Sequence, residues 1–256
     1  MLYPKKYLSG NDIDLSKYNL DKVRQIKVHE FMEDYDLIDF VKPFYLEQSL
    51  DLNEEIKKNK MHFTCYYLLS QEDNRIIGEL IKSLDFLYQL DIKVDEVGNY
   101  INLENHVSIA NVEDNLVLIL KRNNQPFAFI DDSNFNILSQ VILEMCHFDK
   151  PKPEKEVKGD PELIEKMKKA REKYEKKHGS KNSTSFEEVV RQVMYMRKIT
   201  FNEIKDWTIW QLKDVYIVET LMESSNLHYL LASNPNYSID LKTIQDWKKI
   251  TKLVRK

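Results

Sequence analysis

The chain has 256 residues, of which 42% are apolar, 31% are charged and only five are glycine. This length fits one large domain or two small ones, and the apolar content argues against a disordered chain. The scarcity of glycine disfavours an all-β sandwich, which needs a turn signal every ~8 to 12 residues.

Charge is distributed unevenly along the chain. Residues 150–182 hold 12 Lys/Arg and 7 Asp/Glu, a net +5, which leaves −9 for the remainder because the whole chain carries −4. Proteins that bind nucleic acid usually have a basic domain, whereas both remaining portions here are acidic. The basic stretch is interpreted as a proline-containing tether and a solvated polar helix that ends at Gly179. Docking of this stretch against an acidic face of its own chain or of another copy is a further hypothesis, which leaves a homo-oligomer open.

The charged stretch also predicts how the chain is divided. We expect a polar arm at 1–24 that only a partner would order, an α+β domain at 25–149, the charged tether and helix at 150–182, and a helical domain at 183–256. Such a Lys/Glu-rich segment marks a boundary because it offers little apolar surface to a core.

Periodicity predicts the elements of the α+β domain. Apolar residues at steps of three and four predict helices at 28–43, 61–70 and 75–90. Alternation then predicts short strands, and a helix follows Asp131 and Asp132. The strands are expected at 92–94, 100–103, 107–109, 116–120 and 127–130, the hairpin loop at 121–125 and the helix at 135–146.

Capping signals organise the last portion. Three S/T-x-x-E/Q patterns predict helix starts, and they pair Ser185 with Glu188, Thr200 with Glu203, and Thr208 with Gln211. A terminal helix is predicted at 238–254. The fold class is therefore α+β and predominantly helical: helices and a small antiparallel sheet in the N-terminal portion, a charged linker helix, and a small C-terminal helical bundle.

The helix, turn and helix between 200 and 219 raise a helix-turn-helix alternative, that is, a DNA-binding or regulatory protein. A recognition helix should present polar or basic side chains at its N-terminal end. This one begins with Ile209, Trp210 and Leu212, so packing of a small bundle is favoured over DNA binding.

Candidate catalytic and metal-binding residues favour structural roles. The acidic residues of the first helix lie on a face with nothing apolar, and no glycine-rich phosphate loop or GxSxG motif occurs. Two Cys and two His could supply four zinc ligands, but their spacing is unlike a zinc finger or ribbon. The sequence leaves open whether these four residues, His62, Cys65, Cys146 and His147, meet in space. We expect no enzyme activity, no cofactor and no metal.

Neither a secretory signal nor a membrane span is expected. The residues after Met1 lack an apolar core for a signal peptide, and no window approaches the ~18 to 20 apolar residues that cross a bilayer. A cytoplasmic protein is therefore predicted, with both thiols reduced and buried.

The order of certain segments supports a family resemblance. A polar arm precedes IKVHEF at 26–31, and FNILSQVIL at 135–143 precedes the Lys/Glu-rich bridge. FEEV at 186–189, ITFNEI at 199–204 and WTIWQL at 207–212 follow. Together these segments resemble the tail assembly chaperone type proteins of phages that infect Gram-positive bacteria. The resemblance covers most of the chain loosely and the last portion best.

The resemblance implies a non-catalytic bacteriophage protein of virion assembly in the host cytoplasm. Proteins of this type keep the tape measure protein soluble and help to recruit tail tube subunits. Aromatic and Met side chains suit adaptable protein contacts. The hypothesis places a partner-binding surface at Trp207, Trp210, Tyr216, Met222 and Tyr229, for which the alternative is ordinary core packing.

Overall fold

The computed structural model describes residues 3–34, 37–45, 74–95, 99–112, 115–148 and 185–234. Helices predominate in this part, together with a two-stranded and a three-stranded antiparallel sheet. The α+β, predominantly helical fold class is confirmed. The predicted helices at 61–70 and 238–254 and the charged stretch at 150–182 lie outside the described residues, and the division into domains stays a prediction.

The N-terminal segment is folded into the core. It consists of a helix (Pro4–Ser9), a 3-10 turn (Ser16–Tyr18) and two short paired strands, β1 (Ile13–Asp14) and β2 (Lys22–Val23). Five of its apolar side chains have no exposed surface: Tyr7, Ile13, Leu15, Leu20 and Val23. The expectation of a polar arm ordered only by a partner was therefore wrong, because irregularly spaced apolar residues enter the core from elements too short to show a period.

Two predicted helices of the α+β portion are recognisable. The first is observed as Val28–Asp34 and Leu37–Val41, and a 3-10 turn at Lys42–Tyr45 contains the proline expected to end it. The second, Asn74–Tyr88, is confirmed, and we call it the groove helix. It buries Leu80, Leu84 and Leu87 in the core.

The three-stranded sheet has the order β3 (Val107–Val112), β4 (Asn115–Arg122) and β5 (Gln125–Ile130). Between β4 and β5, Asn123 and Asn124 have φ of 53° and 62°, as a two-residue hairpin turn with matching twist requires. The hairpin is therefore confirmed. The strand predicted at 100–103 was wrong in its second half, since the last of these residues begins a short helix, Leu103–His106, and only an isolated bridge precedes it.

Helix Phe135–Met145 follows the sheet as predicted. The carboxylate of Asp131 accepts hydrogen bonds from the backbone N–H groups of Ser133 (2.8 Å) and Asn134 (3.2 Å), which orders the turn before the helix. The amide of Asn134 donates to the carbonyl oxygens of Tyr18 (2.9 Å) and Phe129 (2.7 Å). This turn thus attaches the sheet to the N-terminal segment.

All three helix starts of the last portion are confirmed. The observed helices are Phe186–Arg197, Phe201–Ile204 and Ile209–Ala232, and each begins directly after a predicted Ser or Thr cap. We call Ile209–Ala232 the long helix. Its start joins the main core, whereas Val28 and five residues of the last portion form a second cluster: Val189, Val190, Val193, Ile204 and Leu212.

Candidate interaction surface

The start of the long helix is fixed to the N-terminal half by backbone hydrogen bonds. Val28 N–H donates to the carbonyl of Trp207 (2.9 Å), His29 N–H to that of Lys205 (3.1 Å), and Ile209 N–H to that of Ile26 (2.9 Å). We call these paired segments, 26–29 and 205–209, the seam. Because these backbone groups bond one another across 176 or more residues of sequence, the two portions are joined directly through their backbones.

Side chains extend the seam to the N-terminal helix. The amide oxygen of Gln211 accepts from the N–H of Thr208 (2.9 Å), and the Thr208 hydroxyl accepts from the N–H of Gln211 (3.2 Å). The same Gln211 donates through Nε2 to the carbonyl of Leu8 (2.9 Å). Gly10, with φ 68°, ends the N-terminal helix here, and a Cβ at this position would meet Gln211 Nε2 at 3.4 Å. One glutamine therefore caps the long helix and holds residue 8.

The predicted partner-binding residues do not form one surface. Trp210 is 1% exposed and lies in the main core. Trp207 and Tyr216 are partly buried and pack against the second cluster. Met222 is partly buried, and Tyr229 is 50% exposed. Of the five, Tyr229 offers the largest exposed surface to a partner, and Trp210 offers almost none.

Beyond its first two turns, the long helix exposes further large apolar side chains. The exposed fractions are 40% for Ile217, 56% for Leu227 and 68% for Leu230, beside the 50% of Tyr229. Leu227 and Tyr229 are two positions apart and so point about 200° away from each other around the helix. Apolar surface is therefore exposed on more than one side, and we call these four residues the apolar end.

The sequence contained a signal for the apolar end. From position 215 onward, apolar residues occur at too many angles for a single core-facing stripe, which a half-buried helix would show. Only aromatic and Met side chains were predicted to bind a partner, so the exposed Ile217, Leu227 and Leu230 were missed.

Acidic groups accompany the apolar end. From Asp214 to Asn234 the chain carries three carboxylates and one histidine but neither Lys nor Arg. Glu219 pairs with Arg197 of the neighbouring helix at 2.7 Å, and Glu223 is exposed. In the described stretch of the long helix from Asp214 onward, the net charge is therefore negative.

Cys146 lies in the main core as a free thiol. Burial raises the pKa of this thiol to about 12, against the opposing charge of Lys213. Burial lowers the pKa of Lys213. A thiol with so high a pKa is a poor nucleophile at neutral pH.

The four-residue zinc hypothesis is only half covered by the structure. His62 and Cys65 lie outside the described residues, and the ring of His147 lies against Trp210 with centroids 4.9 Å apart. Among the residues that the structure describes, no group of three or more His, Cys, Asp or Glu is placed to hold a metal ion. In the same part of the chain, no helix is long and apolar enough to cross a membrane.

The first turn of the long helix bears on the DNA-binding alternative. Ile209, Trp210 and Leu212 are 0%, 1% and 0% exposed. A recognition helix inserts its N-terminal residues into the major groove, but here those residues are covered by the protein itself. The helix before the turn, Phe201–Ile204, is only four residues long. This geometry disfavours the alternative.

Comparison of the chain with protein-family models, with curated proteins and with solved structures gave no match in any of the three.

Proposed function

We propose that the chain is a non-catalytic bacteriophage protein of tail morphogenesis that acts in the host cytoplasm. Its role would be that of a tail assembly chaperone, which binds the tape measure protein, tail tube subunits or both. The order of the sequence segments at 26–31, 135–143 and 186–212 supports the family. The surface of the long helix supports the mode of action.

The observation that carries the proposal is the apolar end. Four large side chains of one helix, Ile217, Leu227, Tyr229 and Leu230, are 40% to 68% exposed. Leu227 and Leu230 are three positions apart and share one face of the helix, and exposed apolar patches mark sites of contact with another molecule. A tape measure protein is long and helical, and its apolar helix faces need cover until the tail tube surrounds it. Packing of one such helix against the apolar end would provide that cover.

The acidic residues of the long helix indicate which charge the partner helix should carry. Because Glu223 is exposed and the long helix lacks Lys and Arg from Asp214 onward, a partner segment with Lys or Arg beside its apolar face fits best. This acidic character also disfavours contact with another acidic surface.

Co-expression tests the proposal. The chain is produced together with the tape measure protein encoded in the same phage genome, and the soluble fraction of the tape measure protein is measured. We expect the wild-type chain to increase that fraction and to co-purify with the protein. A variant with Leu227→Asp and Leu230→Asp places two carboxylates on the apolar end and should abolish both effects.

A matched control shows whether the effect is specific to the apolar end or follows from placing Asp at any exposed apolar position of the chain. Val94 is 45% exposed and lies before the sheet, so Val94→Asp should act like the wild type. If the wild-type chain left the tape measure protein insoluble and bound no tail component, the proposal would fail. The gene neighbourhood provides an independent check, because a very long helical reading frame should follow this gene.

A further inference from the structure

Strand β3 is an edge strand without the usual protection. Natural edge strands carry Lys, Pro, inward charges or a bulge, which prevent unwanted pairing. The six residues of β3, Val-Ser-Ile-Ala-Asn-Val, include no charge and no proline. The sheet's register shift lies between β4 and β5, at Leu120 and Lys121. Nothing in β3 itself therefore discourages an added strand.

The two edges of the sheet differ in their partners. On the far edge, Phe129 of β5 donates its N–H to the carbonyl of Asn19 at 2.8 Å, and Pro126 has no N–H to offer. On the near edge, residues 108–112 have no backbone hydrogen bond to any described residue outside β4. Among the described residues, the near edge thus has backbone donors and acceptors without a backbone partner.

A groove of about 530 Å³ adjoins this edge. Ile77 and Ile81 of the groove helix form one wall, and Val107 and Ile109 of β3 form the other. Leu118 of β4, which pairs with Ile109, also lines it. The volume lies within the roughly 300–1,000 Å³ of ligand pockets. An apolar groove beside an open edge strand is suited to the alternate side chains of an extended peptide.

A hydrogen bond joins the segment before the sheet to the groove helix. The hydroxyl of Tyr100, a lining residue, donates to the carbonyl of Gly78 in the groove helix at 3.0 Å. Ile101, also a lining residue, is 65% exposed, and Ile109 is 40% exposed although it belongs to the core-facing row of the sheet. The lining of the groove is therefore mostly apolar, and part of its apolar surface remains exposed.

We propose that the β3 edge and this groove bind an extended segment of another protein as an added strand, with apolar side chains at alternate positions and a Lys or Arg at the end that meets Glu104. The backbone of the segment would pair with β3, and every second side chain would enter the groove. This site is separate from the apolar end and does not depend on the function proposed above.

Charge selects this occupant over a second copy of the chain. Glu104 is exposed and is the only charged side chain that lines the groove among the described residues. A second β3 strand that paired with this edge would bring no basic residue to meet it. A basic end on a foreign peptide instead gives a favourable pair next to the edge.

Selection from a library of short random peptides tests the proposal. The wild-type chain is the target, and the Ile109→Lys variant, which places a charge on the edge, is used to remove background binders. We expect enriched peptides with apolar residues at alternate positions and Lys or Arg at one end. The dissociation constant of one selected peptide is then measured by fluorescence anisotropy, and Ile109→Lys should weaken it at least about tenfold.

Three controls decide the outcome. Phe129 is 40% exposed, like Ile109, but lies on the occupied edge, so Phe129→Lys should leave the affinity unchanged. N-methylation of alternate peptide amides should abolish binding, because it removes the strand hydrogen bonds. Glu104→Lys should weaken the binding of the basic peptide and strengthen the binding of a peptide with Glu at the same end. This variant keeps the test valid if Ile109→Lys does not fold.

Two results would overturn the proposal. One is a failure of binding at this site: either no peptide is enriched relative to the variant, or the dissociation constant is unchanged by Glu104→Lys and by N-methylation. The other is sedimentation that shows the wild-type chain to dimerise and the Ile109→Lys variant to be monomeric, which would make a second copy the occupant.

Discussion

Tyr7 and Trp210 stack against each other, with ring centroids 5.9 Å apart and planes inclined by 18°. Both rings are buried, and 203 residues separate them in sequence. The hydroxyl of Tyr7 also donates to a carboxylate oxygen of Glu144 (3.2 Å), near the end of the helix Phe135–Met145. The start of the chain and the start of the long helix are thus parts of one core.

Polar side chains also hold the N-terminal segment against the rest of this core. The buried amide of Gln25 donates to the carbonyls of Lys6 and Asn11, both at 2.7 Å. The amide of Gln211 donates to Leu8 from the other side. The bonds of Gln25 satisfy partly buried backbone acceptors, which would otherwise lose their bonds to water without a replacement. The N-terminal segment is therefore fixed by hydrogen bonds as well as by burial.

The first prediction concerns Trp210. Trp210→Ala should lower the free energy of unfolding by about 3–5 kcal/mol, the usual cost of truncating a large buried aromatic side chain. Urea unfolding followed by circular dichroism measures it. Tyr195→Ala is the control, because this aromatic is 86% exposed, and its effect should stay within about 0.5 kcal/mol. Equal effects of the two substitutions would contradict the described packing.

The second prediction separates the two roles of Gln211. Gln211→Ala removes both the cap of Thr208 and the bond to Leu8, so we expect a loss of about 1–2 kcal/mol in the free energy of unfolding. Gln211→Glu keeps an acceptor for the Thr208 N–H but has no donor for the Leu8 carbonyl. Its loss should therefore be smaller, and hydrogen exchange should quicken in residues 4–9.

Equal stabilities of the two variants would argue against separate contributions from the cap of Thr208 and from the bond to Leu8. If Gln211→Ala and Gln211→Glu were both as stable as the wild type, the glutamine would contribute neither as a cap nor as a link. If both lost the same stability, the bond to Leu8 would account for the whole effect.

The sequence predicted helix starts well because capping is local. Ser185, Thr200 and Thr208 each lie directly before an observed helix, and the signal needs only four consecutive residues. The N-terminal segment gave no such signal. Its strands are two residues long, so alternation could not be recognised, and the burial of Ile13 and Val23 depends on contacts with distant parts of the chain.

The candidate surfaces were predictable only in part. Aromatic composition pointed to the last portion, and Tyr229 is exposed, but the burial of Trp210 depends on Tyr7 at the other end of the chain. The groove beside β3 could not be predicted, because its lining comes from a helix and a sheet whose relative placement the sequence does not show. A period identifies the face that an element buries, but it does not show where that face is left uncovered.

The third prediction concerns Glu30 and pH. Burial opposes the ionisation of Glu30, but hydrogen bonds from the Arg24 guanidinium and the Lys27 N–H, with the charge of Arg24, hold the pKa of this carboxyl below its ordinary value. A lowered folded-state pKa gives stability that is present above the unfolded-state pKa, about 4.3, and is lost as pH falls through the folded-state pKa.

Glu30→Gln measures this contribution. At pH 7 the variant should be about 1 kcal/mol less stable than the wild type, since a charge-assisted hydrogen bond is lost but solvent screens this partly exposed pair. The difference should shrink when urea unfolding is repeated at successively lower pH below about 5. Glu223→Gln, which changes an exposed carboxylate, serves as the control. A difference that stayed constant from pH 7 to pH 3 would contradict the assigned pKa direction.

The fourth prediction uses Cys146 as an internal probe of opening. Burial raises the pKa of its thiol to about 12, and only the thiolate attacks a disulfide reagent. In a Cys65→Ser background, the remaining thiol should react with Ellman's reagent at pH 8 far more slowly than a free cysteine. The rate should rise with urea in step with unfolding, and a Cys65→Ser, Cys146→Ser variant should show no reaction. Rapid reaction in the absence of urea would mean that the main core around Cys146 opens easily, which the hydrogen bonds of Gln25 and Gln211 should prevent.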